Sequence, residues 1–316
     1  MLDEKIILEE SEVKFEHRLN NVFGNNRPIS FNTKYTALNS GNHGEIILYN
    51  KNKEHVPQRI KLDNNDILDL EFSPFNNEHL ALYTKNNIIS IYDLSEYNEN
   101  DDQMKPKYTL NPKNEITLMT FNPAKSNILC ICDKKGNMCI WDINADKTFN
   151  QLNQENDSTG LLWSPNGNLI AICFNDGLLK IYNNVDNIYK NISLIKEHNK
   201  RINYCLELNI NIILTCSLDY TMKIIILENE MNYKINQILT SHKDSVLKSI
   251  KIKDNCIISL SRDNEFIIWN LNNKNNLYYN ETRVIYQKTN SYCNILKIKE
   301  NEIIISNQKE ESLKIL

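Results

Sequence analysis

Short apolar runs, each closed by a polar turn and followed by a run in which apolar and polar positions alternate, recur along the whole chain. Alternation with a period of two marks a half-buried strand, and a short unbroken apolar run fits a strand buried on both faces. Five segments align without strain. The first holds such runs at 67–74, 80–83 and 89–94, the second at 116–123, 128–132 and 138–143. The third holds them at 161–173 and 179–183, the fourth at 212–219 and 222–225, the fifth at 256–263 and 266–271. With Tyr92, Trp141, Tyr182, Ile225 and Trp269 taken as equivalent, the repeat is about 40 to 50 residues, the length of a four-stranded propeller blade.

Two weaker copies flank these five, one at 35–50 and one at 292–316. The last runs out after three strands, while an alternating stretch at 12–16 has no partner. Pairing that stretch with the final copy closes a ring and removes two exposed sheet edges. The expectation is an all-β, seven-bladed β-propeller closed by an N-terminal strand. It forms one domain over 1–316, with blades at roughly 27–60, 67–110, 116–152, 159–196, 200–240, 244–288, and 291–316 plus 12–16.

The turn ahead of each equivalent position carries Asn86, Lys135, Asp176, Asp219 and Asp263. A short polar side chain there accepts hydrogen bonds from turn amides that the ladder leaves unpaired. This pattern resembles the WD40 repeat, in which a His, a Ser or Thr, the turn Asp and a strand Trp form a buried hydrogen-bonded network. By that resemblance His242, Asp263 and Trp269 belong to one network, with Ser259 or Ser261 as its hydroxyl. His198 and Asp219 belong to another, where Ile225 stands in place of the Trp. Asp176 and Trp141 are the network members left in the earlier blades.

Composition narrows the function. The net charge is −4 with no polybasic block, which argues against nucleic-acid binding. No apolar run reaches membrane length, and the acidic start lacks the pattern of a signal peptide. The 8 Cys at irregular spacing fit reduced thiols, so the compartment reads as cytoplasmic. Only 7 Gly serve the chain while Asn makes up roughly one residue in six, so Asn is expected to replace Gly in turns that need positive φ.

Candidate chemistry is sparse. Cys130, Cys132 and Cys139 lack the second pair that a zinc site requires. Cys132, Cys173 and Cys216 each precede the turn by the same spacing, with Tyr83 and Leu260 at that position elsewhere, and read as small filler between blades. A Ser, a His and an Asp on one blade resemble a catalytic triad in composition, but the repeat already accounts for each. No phosphate-binding, zinc-protease or nucleophile-elbow motif is present. No enzyme, cofactor or metal site is expected. The acidic, Asn-rich stretch from Ser95 to Lys107 reads as a tolerated insertion rather than a mobile interaction loop.

Among WD40 families the sequence is most similar to the N-terminal propeller of coronin. The similarity lies in 13–17 followed by Val22, Phe23 and Gly24, in the first repeat at 35–49, in 67–77, in the Asn-Pro-Ala of 122–124 and in 163–171. It covers roughly residues 13 to 183. The resemblance implies actin-filament binding through basic residues of the propeller, and Lys14, Arg18, Arg27 and Lys34 are the N-terminal candidates. Glu16 stands where the family carries a basic residue, and no heptad region follows, so a monomer is expected. The implied role is a protein-binding platform associated with the cytoskeleton. The alternative is a scaffold subunit of another multi-protein complex unrelated to actin.

Overall fold

A computed structural model describes residues 29–32, 34–50, 58–74, 78–98, 103–152, 156–185, 188–228, 232–263, 265–273, 278–286, 292–299, 302–307 and 313–315. The segment 12–16 expected to close a ring lies outside the described residues, as do Lys14, Arg18 and Arg27.

The strands fall into separate antiparallel sheets in chain order. The first sheet is β1 (Ile29–Phe31), β2 (Tyr35–Asn39), β3 (Glu45–Asn50) and β4 (Gln58–Lys61). The second is β5 (Ile67–Phe72), β6 (His79–Thr84), β7 (Ile89–Asp93) and β8 (Tyr108–Leu110). The third is β9 (Ile116–Phe121), β10 (Ile128–Asp133), β11 (Met138–Asp142) and β12 (Lys147–Leu152). The fourth is β13 (Ser158–Trp163), β14 (Leu169–Phe174), β15 (Leu179–Val185) and β16 (Ile188–Ile195). The fifth is β17 (Ile202–Asn209), β18 (Ile212–Ser217), β19 (Met222–Leu227) and β20 (Tyr233–Leu239). The sixth is β21 (Val246–Lys253), β22 (Cys256–Ser261), β23 (Glu265–Asn273) and β24 (Tyr278–Tyr286). Among the described residues a last sheet has three strands, β25 (Tyr292–Lys299), β26 (Glu302–Asn307) and β27 (Leu313–Ile315).

Each sheet is a meander of neighbouring strands, and the first strand of each lies against the first strand of the next, from β1 through β25. That is the arrangement of propeller blades around an axis. The second strand of a sheet is buried on both faces, which explains its near-continuous apolar run. Every residue of β10, β18 and β22 is buried. Along β10, Leu129 and Ile131 pack with the second sheet, while Ile128, Cys130 and Cys132 pack with the fourth. Outer strands such as β16 alternate instead, because one of their faces meets water.

The core is therefore distributed between consecutive sheets. Each fully buried Ile or Leu contributes on the order of 2 kcal/mol. Cys132, Cys173 and Cys216 sit in these seams and are fully buried, as a small filler would be. Burial raises the Cys173 thiol well above its ordinary range, as expected for an inert side chain.

One expectation needs correction. Among described residues Asn adopts positive φ only at Asn87 and Asn211, whereas Gly41, Gly44, Gly136, Gly167 and Gly177 all do. Asn contributes chiefly through its carboxamide: Asn122 Oδ1 accepts from the backbone of Ala124 and Lys125, and Asn32 Oδ1 from Lys34 and Tyr35. The ends of the stretch from Ser95 to Lys107 are also tied down. A 3-10 turn covers Leu94–Glu96 with Asp93 as its cap, Lys107 Nζ lies 2.8 Å from Asp93, and Met104 is buried in the core.

Candidate functional site

The polar residues singled out by the repeat lie in and under the turns that join the second and third strands. The network of the fifth sheet is the most complete. His198 sits just ahead of β17 and is 2% exposed. Its Nδ1 meets Asp219 Oδ2 at 2.8 Å and its Nε2 meets Thr215 Oγ1 at 2.7 Å. Asp219 also accepts from the hydroxyl of Thr221 at 2.6 Å and from its backbone at 3.1 Å. Burial alone would raise this carboxyl, but the bonds from His198 and Thr221 hold it well below the usual range. Ile225, at the Trp position, is buried in the apolar seam with the fourth sheet. Thr215 was not singled out from the sequence, although it occupies the position in β18 that Ser259 occupies in β22.

In the sixth sheet Trp269 Nε1 donates to Ser259 Oγ at 2.8 Å, and His242 Nε2 meets the same oxygen at 2.6 Å. Ser259 is thus the hydroxyl of this network. Ser261 instead donates to Asp263, whose carboxylate also accepts from the amide of Glu265. The acid facing His242 is Glu265, with Oε2 lying 3.3 Å from His242 Nδ1 and both side chains buried. The structure therefore brings His242, Ser259 and Trp269 together and gives Asp263 to the turn. Burial pushes the imidazole of His242 below its ordinary value, against the pull of Glu265. A sequence carrying acids at 263 and 265 gives no ground for choosing between them.

The third sheet has lost this network and closed its turn another way. Lys135 stands at the acid position, and Asp133, two residues earlier, takes over. Its Oδ1 accepts from the amides of Lys135 and Asn137, and its Oδ2 from the carboxamides of Asn137 and Asn114. Trp141 is fully buried, yet its Nε1 has no hydrogen-bond partner. Ile131 occupies the position that Ser259 holds in the sixth sheet. In the fourth sheet Asp176 accepts from the amide of Leu178 and pairs with Lys196 at 3.2 Å. In the second, Tyr92 fills the Trp position and its hydroxyl donates to Leu62 O, just past the end of β4.

Ionisable groups also line the innermost strands. Burial pushes Asp69 up to about 6 and Glu71 up to about 8, and lowers Lys248 to about 8. Glu71 is occupied in joining sheets, since its Oε1 accepts from Thr120 Oγ1 of β9 at 2.9 Å. Among the described residues no group of His, Cys, Asp and Glu is placed to hold a metal ion, and no helix is long and apolar enough to cross a membrane. Of the basic candidates only Lys34 is described. It pairs with Glu78 of the second sheet and lies 4.9 Å over the ring of Tyr35, so it acts as a clasp between two sheets.

Sealed His–hydroxyl–acid networks at the turns, stacked meander sheets and inner strands in series define a WD40-type β-propeller, similar to that of coronin. More narrowly, the chain belongs to the NUP159/214 β-propeller family, whose sequence profile matches residues 48–217. It is 22% identical over 180 residues to a coronin-like protein of Saccharomyces cerevisiae, an overlap of 52% of this chain. That overlap spans only 28% of the yeast protein. Its fold also matches the WD40 domain of Toxoplasma gondii coronin, with a TM-score of 0.72 and 16% identity, over 91% of this chain and 79% of the other.

Proposed function

We propose that this chain is a non-enzymatic protein-binding propeller of the coronin type and that its partner is the actin filament. The observation that carries the binding role is the fate of the polar side chains. His198, His242 and their hydroxyl partners are buried and hydrogen-bonded within their sheets, with an acid beside each imidazole, so binding is left to loops and rims. The actin partner rests on likeness to coronin in sequence and in fold. The same reading includes a seven-bladed ring in which 12–16 supplies the fourth strand of the last sheet, and residence in the cytoplasm with the cytoskeleton.

Co-sedimentation with actin filaments over a range of salt tests this. Pelleting that fades as salt screens basic contacts supports it, and no pelleting at low salt overturns it. Charge reversal at Lys14, Arg18 and Arg27 is expected to weaken pelleting. Reversal at Lys34 tests a residue that also clasps two sheets, so it requires a matching thermal melt. A second reading, a scaffold subunit of another complex, is favoured by the family match over 48–217. Affinity capture from the native cell that returns a stable complex without actin would establish it.

A further inference from the structure

The turn between the second and third strands requires one residue with positive φ, and in three sheets this is a residue suited to it: Asn87 at +63°, Gly136 at +76° and Gly177 at +85°. The fifth sheet places Tyr220 there, at +74°. A bulky side chain with a Cβ is strained in this region, and such outliers concentrate at functional positions. The ring gains little from the fold in return, since Tyr220 is 43% exposed at the tip of its turn.

Its neighbours are cationic. Lys200 Nζ lies 5.4 Å from the ring centroid, and both Lys200 and Arg201 are exposed. Nearby acids are already committed: Asp219 to His198 and Thr221, Asp176 to Lys196, and Glu197 to the hydroxyl of Tyr233. The loop holding the two cations is fixed in place. Ser217 Oγ donates to the carbonyls of Lys200 and Arg201 at 3.3 and 2.9 Å, and Leu218 N donates to Arg201 O at 2.9 Å.

We propose that Tyr220, Lys200 and Arg201 form a docking point for a carboxylate-rich segment of a protein partner. Tyr and Arg dominate the energetics of protein interfaces, and a guanidinium beside an ammonium matches carboxylates in charge and geometry. A rigid loop also spares the ordering cost of binding. The proposal does not depend on actin, and failure of filament pelleting leaves it standing.

The test is fluorescence anisotropy of a labelled ten-residue peptide of alternating Asp and Ala, titrated with the full chain at low ionic strength. Saturable binding is expected. The double variant K200E/R201E is expected to weaken it at least tenfold, whereas K147E, on an exposed site of the third sheet, leaves it within twofold. Y220N is expected to weaken binding at least threefold while raising Tm, because Asn tolerates the turn's backbone; a loss through misfolding would lower Tm. No saturable binding, an equal loss in K147E, or full binding by Y220N overturns the proposal. A phosphoserine peptide without carboxylates that binds more tightly than the Asp peptide also overturns it, since the ligand class would then be phosphate.

Discussion

Trp269 donates its indole proton to Ser259 at 2.8 Å inside the sixth sheet, and Ser259 also meets His242. Trp141, its counterpart in the third sheet, is buried against Ile131 and Met119 in the same apolar cluster with no acceptor. One repeat position thus holds a satisfied donor in one sheet and an orphaned donor in another. Losing a made bond and losing an unmade one have opposite signs. Trp269→Phe is expected to cost about 1–2 kcal/mol beyond the change in apolar volume, because it leaves the hydroxyl of a buried network short of a donor. Trp141→Phe removes a desolvated N–H and is expected to cost at least about 1 kcal/mol less. Urea melts of the two variants check this, and equal losses would refute it.

Asp219 links a buried imidazole to the turn amides. Asp219→Ala takes the carboxylate partner from His198 Nδ1 and is expected to lower stability by roughly 2–3 kcal/mol. The carboxyl is held below its unfolded value, so its contribution is present above the ordinary carboxylate pKa of about 4 and is lost as pH falls further. The wild type should therefore lose stability more steeply than the Ala variant below about pH 4. Parallel pH profiles of the two proteins would expose the role as absent.

Glu71 has the opposite sign. Burial raises its carboxyl to about 8 in the folded chain, so the folded state binds the proton more tightly than the unfolded one. The resulting stability is fully present below the unfolded value of about 4.3 and declines as pH rises through 8. Glu71→Gln keeps an acceptor for Thr120 and removes the titration. Between pH 6 and pH 9 the Tm of the variant is expected to fall by roughly 2 °C less than that of the wild type. Thermal melts at the two pH values decide it.

Gly177 is needed for space as well as for its backbone angle. A Cβ placed on it would stand 2.4 Å from the carbonyl oxygen of His198 and 2.7 Å from that of Lys200, both of them main-chain atoms that cannot swing aside. Gly177→Ala is expected to destabilise by more than about 2 kcal/mol, with loss of amide protection in the loop before β17. Hydrogen exchange of that loop is the direct measurement.

Much of this was legible in the sequence. Doubly buried second strands show as unbroken apolar runs such as Ile128–Cys132, and the turn positions show as Asp219 and Asp263, each at the same distance ahead of Ile225 and Trp269. Pairing partners were less legible. Glu265 faces His242 because the chain reverses at Asp263 and brings the start of β23 under the imidazole, a relation in space that spacing does not encode. Asp133 closes its turn from two residues upstream because Gly136 lets the amides of Lys135 and Asn137 reach back to it. An exposed strained residue such as Tyr220 carries no sequence mark, since a tyrosine in a polar turn is unremarkable until its backbone angle is known.

The sheets are also joined by side chains that bond to a neighbour's main chain. Asn122 reaches Gly167 O, Asn203 reaches Val246 O, Lys251 reaches Leu208 O, and the amide of Gln237 both gives to and takes from the backbone of Tyr279. An array of similar units with weak couplings melts piecemeal, each unit on its own curve. Here an unzipped unit would strand buried carbonyls and amides on the units beside it, so the cost of partial melting is charged to both neighbours. Cooperativity in this chain is therefore written in its Asn, Gln and Lys side chains as much as in its apolar seams.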